Sequence, residues 1–124
     1  MALKRAMRLR KSSDFQRVRQ EGRSLSSRLL ILGWRPNDVT QLRIGFVVSK
    51  RISKRAVERN YLKRLLGEAV RISLPGLPPG IDIVFSARNA ASTATVQMLE
   101  NDIQALLQRA KLVTVAPNTT NKTP

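Results

Sequence analysis

Between residues 50 and 64 the chain reads KRISKRAVERNYLKR, and Lys50, Arg51, Lys54, Arg55, Arg59, Lys63 and Arg64 offer one chemistry, the neutralisation of phosphates. Asn60 adds an amide that both donates and accepts, which suits sugar hydroxyls and base edges better than simple solvation. Only Glu58 and Glu68 stand near enough to offset these cations, so the surface repels itself unless an external anion is bound. Groups for bond cleavage are missing. The chain has no His and no Cys, which excludes imidazole acid–base catalysis, thiol nucleophiles, thiolate zinc sites and disulfides. Asp14, Asp38, Asp82, Glu100 and Asp102 are scattered, and Glu100 and Asp102, two apart on a helix, point in different directions. Asp14 reads as a first-turn residue favoured by the helix dipole and Asp82 as the start of a strand.

The basic residues need a helix to align them. At about 100° per residue, Val57, Tyr61, Leu62, Leu65, Ala69 and Ile72 fall on one arc, and Arg59, Asn60, Lys63, Arg64, Gly67 and Arg71 on the other. This helix is expected from Arg55 to Ser73, where LPGLPPG must end it. Gly67, near the centre of the polar arc, leaves room for a phosphate backbone to approach. Upstream, SSDFQRVRQEG predicts a first helix in which Ser13 and Gln16 have capping-box spacing, Phe15 and Val18 share a face and Gly22 is the stop. RLLILGWRP and LRIGFVVSK read as two strands joined by the turn NDVTQ, and so as an antiparallel hairpin. IDIVFSAR is a third strand, and Val96, Leu99, Ile103, Leu106 and Ala110 mark a last amphipathic helix over residues 95–110. The order helix, strand, strand, helix, strand, helix predicts a single small α+β domain, a mixed sheet packed by helices. The domain is expected over residues 12–111, between a flexible basic arm at 1–11 and a polar, disordered tail at 112–124.

Length and charge agree with one domain and a polyanionic partner. A chain of 124 residues, 42% of them hydrophobic, holds one modest core. Its 23 Lys and Arg against 8 Asp and Glu give a net charge of +15. Residues 1–71 hold 19 of those cations against 5 acids, whereas residues 72–124 hold 4 against 3. The polyanion therefore meets the first 71 residues. No membrane partner is expected, since no segment approaches the ~20 apolar residues of a span and large apolar side chains for an interfacial helix are few. The absence of a signal-peptide pattern predicts a cytoplasmic protein. No DNA partner is expected either, because no second helix stands a short turn away from residue 55 to build a helix-turn-helix.

The stretch IGFVVSKRISKRAVERNYLKRLLGEAV resembles the signature of the bacterial ribonuclease P protein subunit, a Lys-rich loop leading into a helix with an Arg-Asn-Arg motif and then Lys-Arg-Leu. RLRKSSDFQRVRQEG is similar to that family's first helix and DIVFSARNAAS to its last strand with the terminal Ala-Arg, so the resemblance covers residues 4–110. The match has departures: Tyr61 stands in place of the second Arg, Gly67 in place of a polar or basic residue, and Arg19 where a second aromatic is often found. The resemblance implies a subunit that cleaves no bond itself. It implies binding to a large catalytic RNA, which with Mg²⁺ held chiefly by that RNA hydrolyses the phosphodiester. It also implies binding of the 5′ leader of precursor tRNA in a cleft between the first helix and the sheet, and a left-handed strand–helix–strand crossover. On this reading Lys50, Arg51, Lys54, Arg55, Arg59, Asn60, Lys63 and Arg64 meet the RNA subunit. Phe15, Arg19, Trp34 and Arg88 meet the leader, with Trp34 substituting for the missing aromatic. A basic ribosomal or other structural RNA-binding protein is the alternative, since ribosomal RNA imposes the same electrostatics.

Overall fold

The computed structural model describes residues 5–113. Strand β4 (Ile81–Ala87) presents Ile81, Ile83 and Phe85 on one face and Asp82 and Val84 on the other, and every residue from Ile81 to Phe85 is buried. Such a strand must sit inside a sheet with both faces covered. β2 (Leu30–Pro36) pairs with it antiparallel, from Leu30 opposite Ala87 to Pro36 opposite Ile81. β3 (Arg43–Val47) pairs with its other side in parallel, from Arg43 opposite Asp82 to Val47 opposite Ser86. β1 (Arg23–Ser26) joins the outer side of β2, giving a four-stranded mixed sheet in the order β1-β2-β4-β3.

Helix α1 (Ser12–Glu21) covers one face of the sheet; α2 (Ala56–Val70) and α3 (Val96–Arg109) cover the other. Side-chain alternation divides the strands accordingly. Leu30, Leu32, Ile44, Ile83 and Phe85 meet Leu62, Leu66, Ala69 and Val70 of α2 and Leu99, Ile103, Leu106 and Leu107 of α3 in the main core. The rings of Phe46 and Phe85 stack within it at 6.2 Å. On the α1 side a smaller cluster joins Leu9, Val18 and Val84, with Phe15 and Val47 packed against it. Burial of each such large side chain is worth roughly 1.5–3 kcal/mol, so both clusters are needed to hold the sheet between its layers.

The expected α+β domain is present, with differences that have physical causes. The β2–β3 hairpin does not form: β4 lies between those strands, pairing antiparallel with β2 along one edge and parallel with β3 along the other. The hairpin is β1–β2 instead. Its first strand has Leu25 as its only large apolar residue, too little for a readable pattern. α1 begins after Lys11, which makes no side-chain cap, so the Ser13–Gln16 capping box is not used. Gly22 does end the helix, and here only Gly fits: a Cβ would lie 2.4 Å from the carbonyl oxygen of Trp34. α2 stops at Val70 and continues as a 3-10 segment, Arg71–Gly76, that contains Pro75. Its buried stripe is Leu62, Leu66, Gly67, Ala69 and Val70, while Val57, Tyr61 and Ile72 are exposed. Val57 and Ile72 lie in the first turn and beyond the end of the helix, and the stripe rotates towards the residues that meet α3. The arm expected to be flexible over residues 1–11 is held at its described end. Arg5–Met7 form a 3-10 turn, Arg8 bridges Ile44, and the Leu9 amide donates to the Ile44 carbonyl at 2.9 Å. Of the expected tail, Leu112 and Val113 pack against the core, and residues 114–124 lie outside the described residues.

A polar network fastens the layers. Asp82, 1% exposed, accepts two hydrogen bonds from the Arg43 guanidinium, at 2.9 Å each, and one from the Asn37 amide at 2.8 Å. Arg43 also reaches Asp14 of α1 at 3.5 Å. The bond to Asp82 holds the Arg43 guanidinium above its ordinary pKa, against the opposing effect of burial. Asp82→Ala is expected to cost about 3 kcal/mol in urea unfolding, because Arg43 and Asn37 lose their shared acceptor. Glu21→Ala, which removes an exposed ion pair with Arg35, should change stability by less than about 1 kcal/mol.

Candidate nucleic-acid interface

The N-terminal segment, Phe15 of α1, the open side of β3 and helix α2 enclose a groove of about 900 Å³. The sheet order creates it: β3 is an edge strand, with the N-terminal segment on the side of α1 and α2 on the opposite face. Its floor is Ile44, Gly45, Phe46, Leu65 and Gly67. Arg8 and Arg10 rise on one side, and Asn60, Lys63 and Arg64 on the other. The alternation Arg8, Leu9, Arg10 follows from extended backbone: Leu9 turns inward, 5% exposed, and its neighbours face out.

Phe15 is placed by a glycine. A Cβ on Gly45 would come within 2.5 Å of two Phe15 ring carbons, so the ring lies on bare β3 backbone. It stays half-buried, with one side packed and one side available. Gly67 serves the same groove differently. It is buried rather than on an outer polar arc, and an added Cβ would be in ordinary contact with the Phe46 ring at 3.9 Å.

The other basic residues are organised by hydrogen bonds. Nη1 of Arg59 donates to the carbonyls of Ser53 at 3.0 Å and Lys54 at 2.9 Å, closing the loop before α2. The Ser53 hydroxyl bonds Glu58, and the Arg55 amide donates to the Ser53 oxygen at 3.2 Å. Arg55 pairs with Glu58 at 3.5 Å, but its side chain is 75% exposed, so that pair neutralises it weakly. Arg59 thus works as a brace that presents Lys54 and Arg55, whose side chains stand in solvent with those of Lys50 and Arg51. Charges gathered on one loop and the helix turn it enters act together on an approaching anion, since screening at physiological salt sets in only beyond about 8–10 Å.

Of the residues expected on the α1 side of the sheet, Phe15 lies in the groove and Arg19 is exposed in the last turn of α1. Trp34 does not join them. Its strand neighbours Leu30 and Leu32 and its partner Ile83 point into the main core, and Trp34 packs against that core. Gly33 faces α1 in its place, where a Cβ would press on Val18 at 3.1 Å. Arg88 is exposed, and its guanidinium donates to the Ser27 carbonyl at 2.6 Å, clasping the β1–β2 turn. Arg109 holds the same turn through the Ser26 carbonyl at 3.1 Å. Arg8 and Arg10 were missed by the reading of motifs, although their alternation about Leu9 was a usable signal. Among the described residues, no three His, Cys, Asp or Glu side chains gather where they could hold a metal ion.

Comparisons agree with this architecture. A family model described as Ribonuclease P matches residues 3–111. The chain is 46% identical over 122 residues to the ribonuclease P protein component of Chloroflexus aurantiacus, an alignment covering 98% of this chain and 87% of that protein. It is 43% identical over 112 residues to the one from Roseiflexus castenholzii, covering 90% and 91%. Among solved structures, the Staphylococcus aureus RNase P protein superposes with a TM-score of 0.79 at 30% identity, covering 89% of this chain and all of that one. The Thermotoga maritima RNase P protein gives 0.73 at 31% identity, covering 82% and 96%.

The seat of Phe15 is open to a double-mutant cycle. Gly45→Ala should destabilise the protein by about 1–3 kcal/mol, the usual range for overpacking. The same change in a Phe15→Ala background should be much milder, because the clashing ring is gone. Equal destabilisation in the two backgrounds, measured by urea unfolding, would show that the ring does not rest on Gly45.

Proposed function

Because the chain belongs to the ribonuclease P protein family, we propose that it is the RNA-binding accessory subunit of a ribonuclease P endoribonuclease, joined to a catalytic RNA and assisting removal of the 5′ leader from precursor tRNA. The observation that carries this reading is the groove at β3, where the half-buried Phe15 ring lies between Arg8 and Arg10 on one side and Lys63 and Arg64 on the other, with Glu68 the one carboxylate of the lining. Single-stranded RNA needs both: a π face for its bases and positive charge for its phosphates. In this reading Mg²⁺ is held chiefly by the catalytic RNA.

Each group has a part in this scheme. Lys50, Arg51, Lys54, Arg55, Lys63 and Arg64 neutralise phosphates of the RNA subunit, while Asn60 bonds sugar or base edges and Arg59 keeps the loop in shape. Phe15 stacks on a leader base at the groove, an interaction worth about 1–3 kcal/mol and tolerant of sequence because every base has a π face. Arg19, and Arg88 from the end of β4, supply charge along the strand's path. Trp34 is left out of this set, since it is half-buried and packs against the main core, on the face of the sheet opposite Phe15. The proposed setting is the cytoplasm; no described helix is long and apolar enough to cross a membrane.

Reconstitution tests the reading. The purified chain mixed with a bacterial ribonuclease P RNA at low Mg²⁺ should restore removal of the 5′ extension from a precursor tRNA, and the chain alone should cleave nothing. The double variant Lys63→Ala, Arg64→Ala should bind that RNA more weakly, with the slope of log affinity against log salt shallower by about 0.7–0.9 for each phosphate no longer neutralised. Unchanged affinity and slope would remove these residues from the interface. Binding to ribosomal particles without any effect on tRNA processing would favour a ribosomal protein instead.

A further inference from the structure

Tyr61 is the single tyrosine of the chain, and it is spent on the surface. Its side chain stands 55% exposed on α2, one turn after Val57, which is 67% exposed. The Arg64 guanidinium lies over the ring, 5.7 Å from its centroid. Beside it a second cavity, about 670 Å³, opens between the start of α2 and the start of α3, and Tyr61 forms part of its wall. Leu62 and Leu65 give this cavity an apolar base, Ser92 and Thr93 put hydroxyl groups on its far side beside Thr95, whose hydroxyl caps α3 by accepting from the Met98 amide, and Glu58 stands in its wall.

We propose that Tyr61 is a stacking platform for one unpaired base of the partner RNA, which enters the cavity between α2 and the Ser92–Thr95 segment. The inference rests on the RNA-subunit reading and adds a base-stacking site to it. The charge around the ring selects the occupant. Arg64 lines the β3 groove and lies over one face of the Tyr61 ring, so it stands between the groove and the cavity that Tyr61 walls. An apolar protein surface docking on Tyr61 would have to bury Arg64 and its neighbour Lys63, and the carboxylate of this cavity, Glu58, is already engaged by the Ser53 hydroxyl and Arg55, so the burial is costly. A second copy of a chain with net charge +15 would add like charge to like. A nucleotide meets both demands, its base stacking on the ring and its phosphate facing Lys63 and Arg64. The hydroxyls of Ser92 and Thr93 then face the base edge, where they can donate or accept according to its identity. An arginine at position 61 would make an ionic interaction; a tyrosine replaces charge with stacking.

The test compares three variants binding a bacterial ribonuclease P RNA over a range of salt concentrations. Tyr61→Ala should weaken binding about tenfold, in line with the removal of one stacked base, and leave the salt slope unchanged because every phosphate-binding cation is kept. Tyr61→Phe should bind within about twofold of wild type, since the π face is kept. Tyr61→Arg should steepen the slope by about 0.7–0.9 through one additional neutralised phosphate. Since Tyr61 is exposed, each variant should melt with the wild type, which separates a binding role from a structural one. Wild-type affinity in Tyr61→Ala, or a shallower slope, overturns the inference while leaving the subunit reading standing. Self-association of the free protein that Tyr61→Ala abolishes also overturns it, in favour of a protein–protein interface. A wild-type chain that does not bind the RNA at all defeats both readings.

Discussion

The bidentate bond between Arg43 and Asp82 joins the edge strand to the centre of the sheet at the point where three layers meet. Asp82 is buried, and a buried carboxylate is tolerable only when its oxygens are satisfied; Arg43 and Asn37 supply that satisfaction. Each partner brings a different part of the chain. Arg43 fixes the first residue of β3 opposite the second of β4, and so sets the parallel register. Asn37 ties down the connection after β2, and Arg43 reaches on to Asp14 at the start of α1. Apolar packing gives the sheet its stability, but it is indifferent to small slides along a strand. A directional pair of this kind is not.

The groove follows from that register. With Arg43 opposite Asp82, Gly45 falls where the Phe15 ring crosses β3, and Ile44 presents its carbonyl to Leu9. The N-terminal segment is thereby drawn along the sheet edge with Arg8 and Arg10 turned outward. On the other face, burial of Leu62, Leu66, Ala69 and Val70 leaves Asn60, Lys63 and Arg64 at the rim. Three segments distant in sequence thus contribute to one cationic channel, and none of them would form it alone.

Much of this was legible in the residues and some of it was not. The alternation of Ile81, Ile83 and Phe85 after a Pro and Gly loop and the spacing of Leu99, Ile103 and Leu106 announce β4 and α3, the first at the period of a strand and the second at that of a helix. The facing of β2 was hidden. Leu29, Leu30, Ile31 and Leu32 are apolar at both parities, so alternation could not reveal that Trp34 belongs to the core and Gly33 to the side of α1. Strand order was hidden for another reason. Neighbours in sequence usually pair, and no local pattern shows that β4, which follows both, inserts between β2 and β3. In α2 the wheel correctly grouped Arg59, Asn60, Lys63 and Arg64, yet it misplaced Tyr61 and Gly67, since a wheel knows the period of a helix but not which part of an apolar arc its neighbours reach. The Asp14–Arg43–Asp82 network spans three separate elements, and no local pattern connects its members.

The bridge between Arg8 and Ile44 also bears on how the molecule behaves among its own copies. A bare outer strand is a template on which another chain can add its backbone, and β3, with Ile44, Phe46 and Val47, is apolar enough to invite it. Residues 8 and 9 occupy part of that template, and the guanidinium groups beside them make the approach of a second +15 molecule unfavourable. The same short segment that widens the positive channel therefore acts as a guard against strand-by-strand aggregation, so that colloidal behaviour and ligand affinity cannot be tuned independently at these positions.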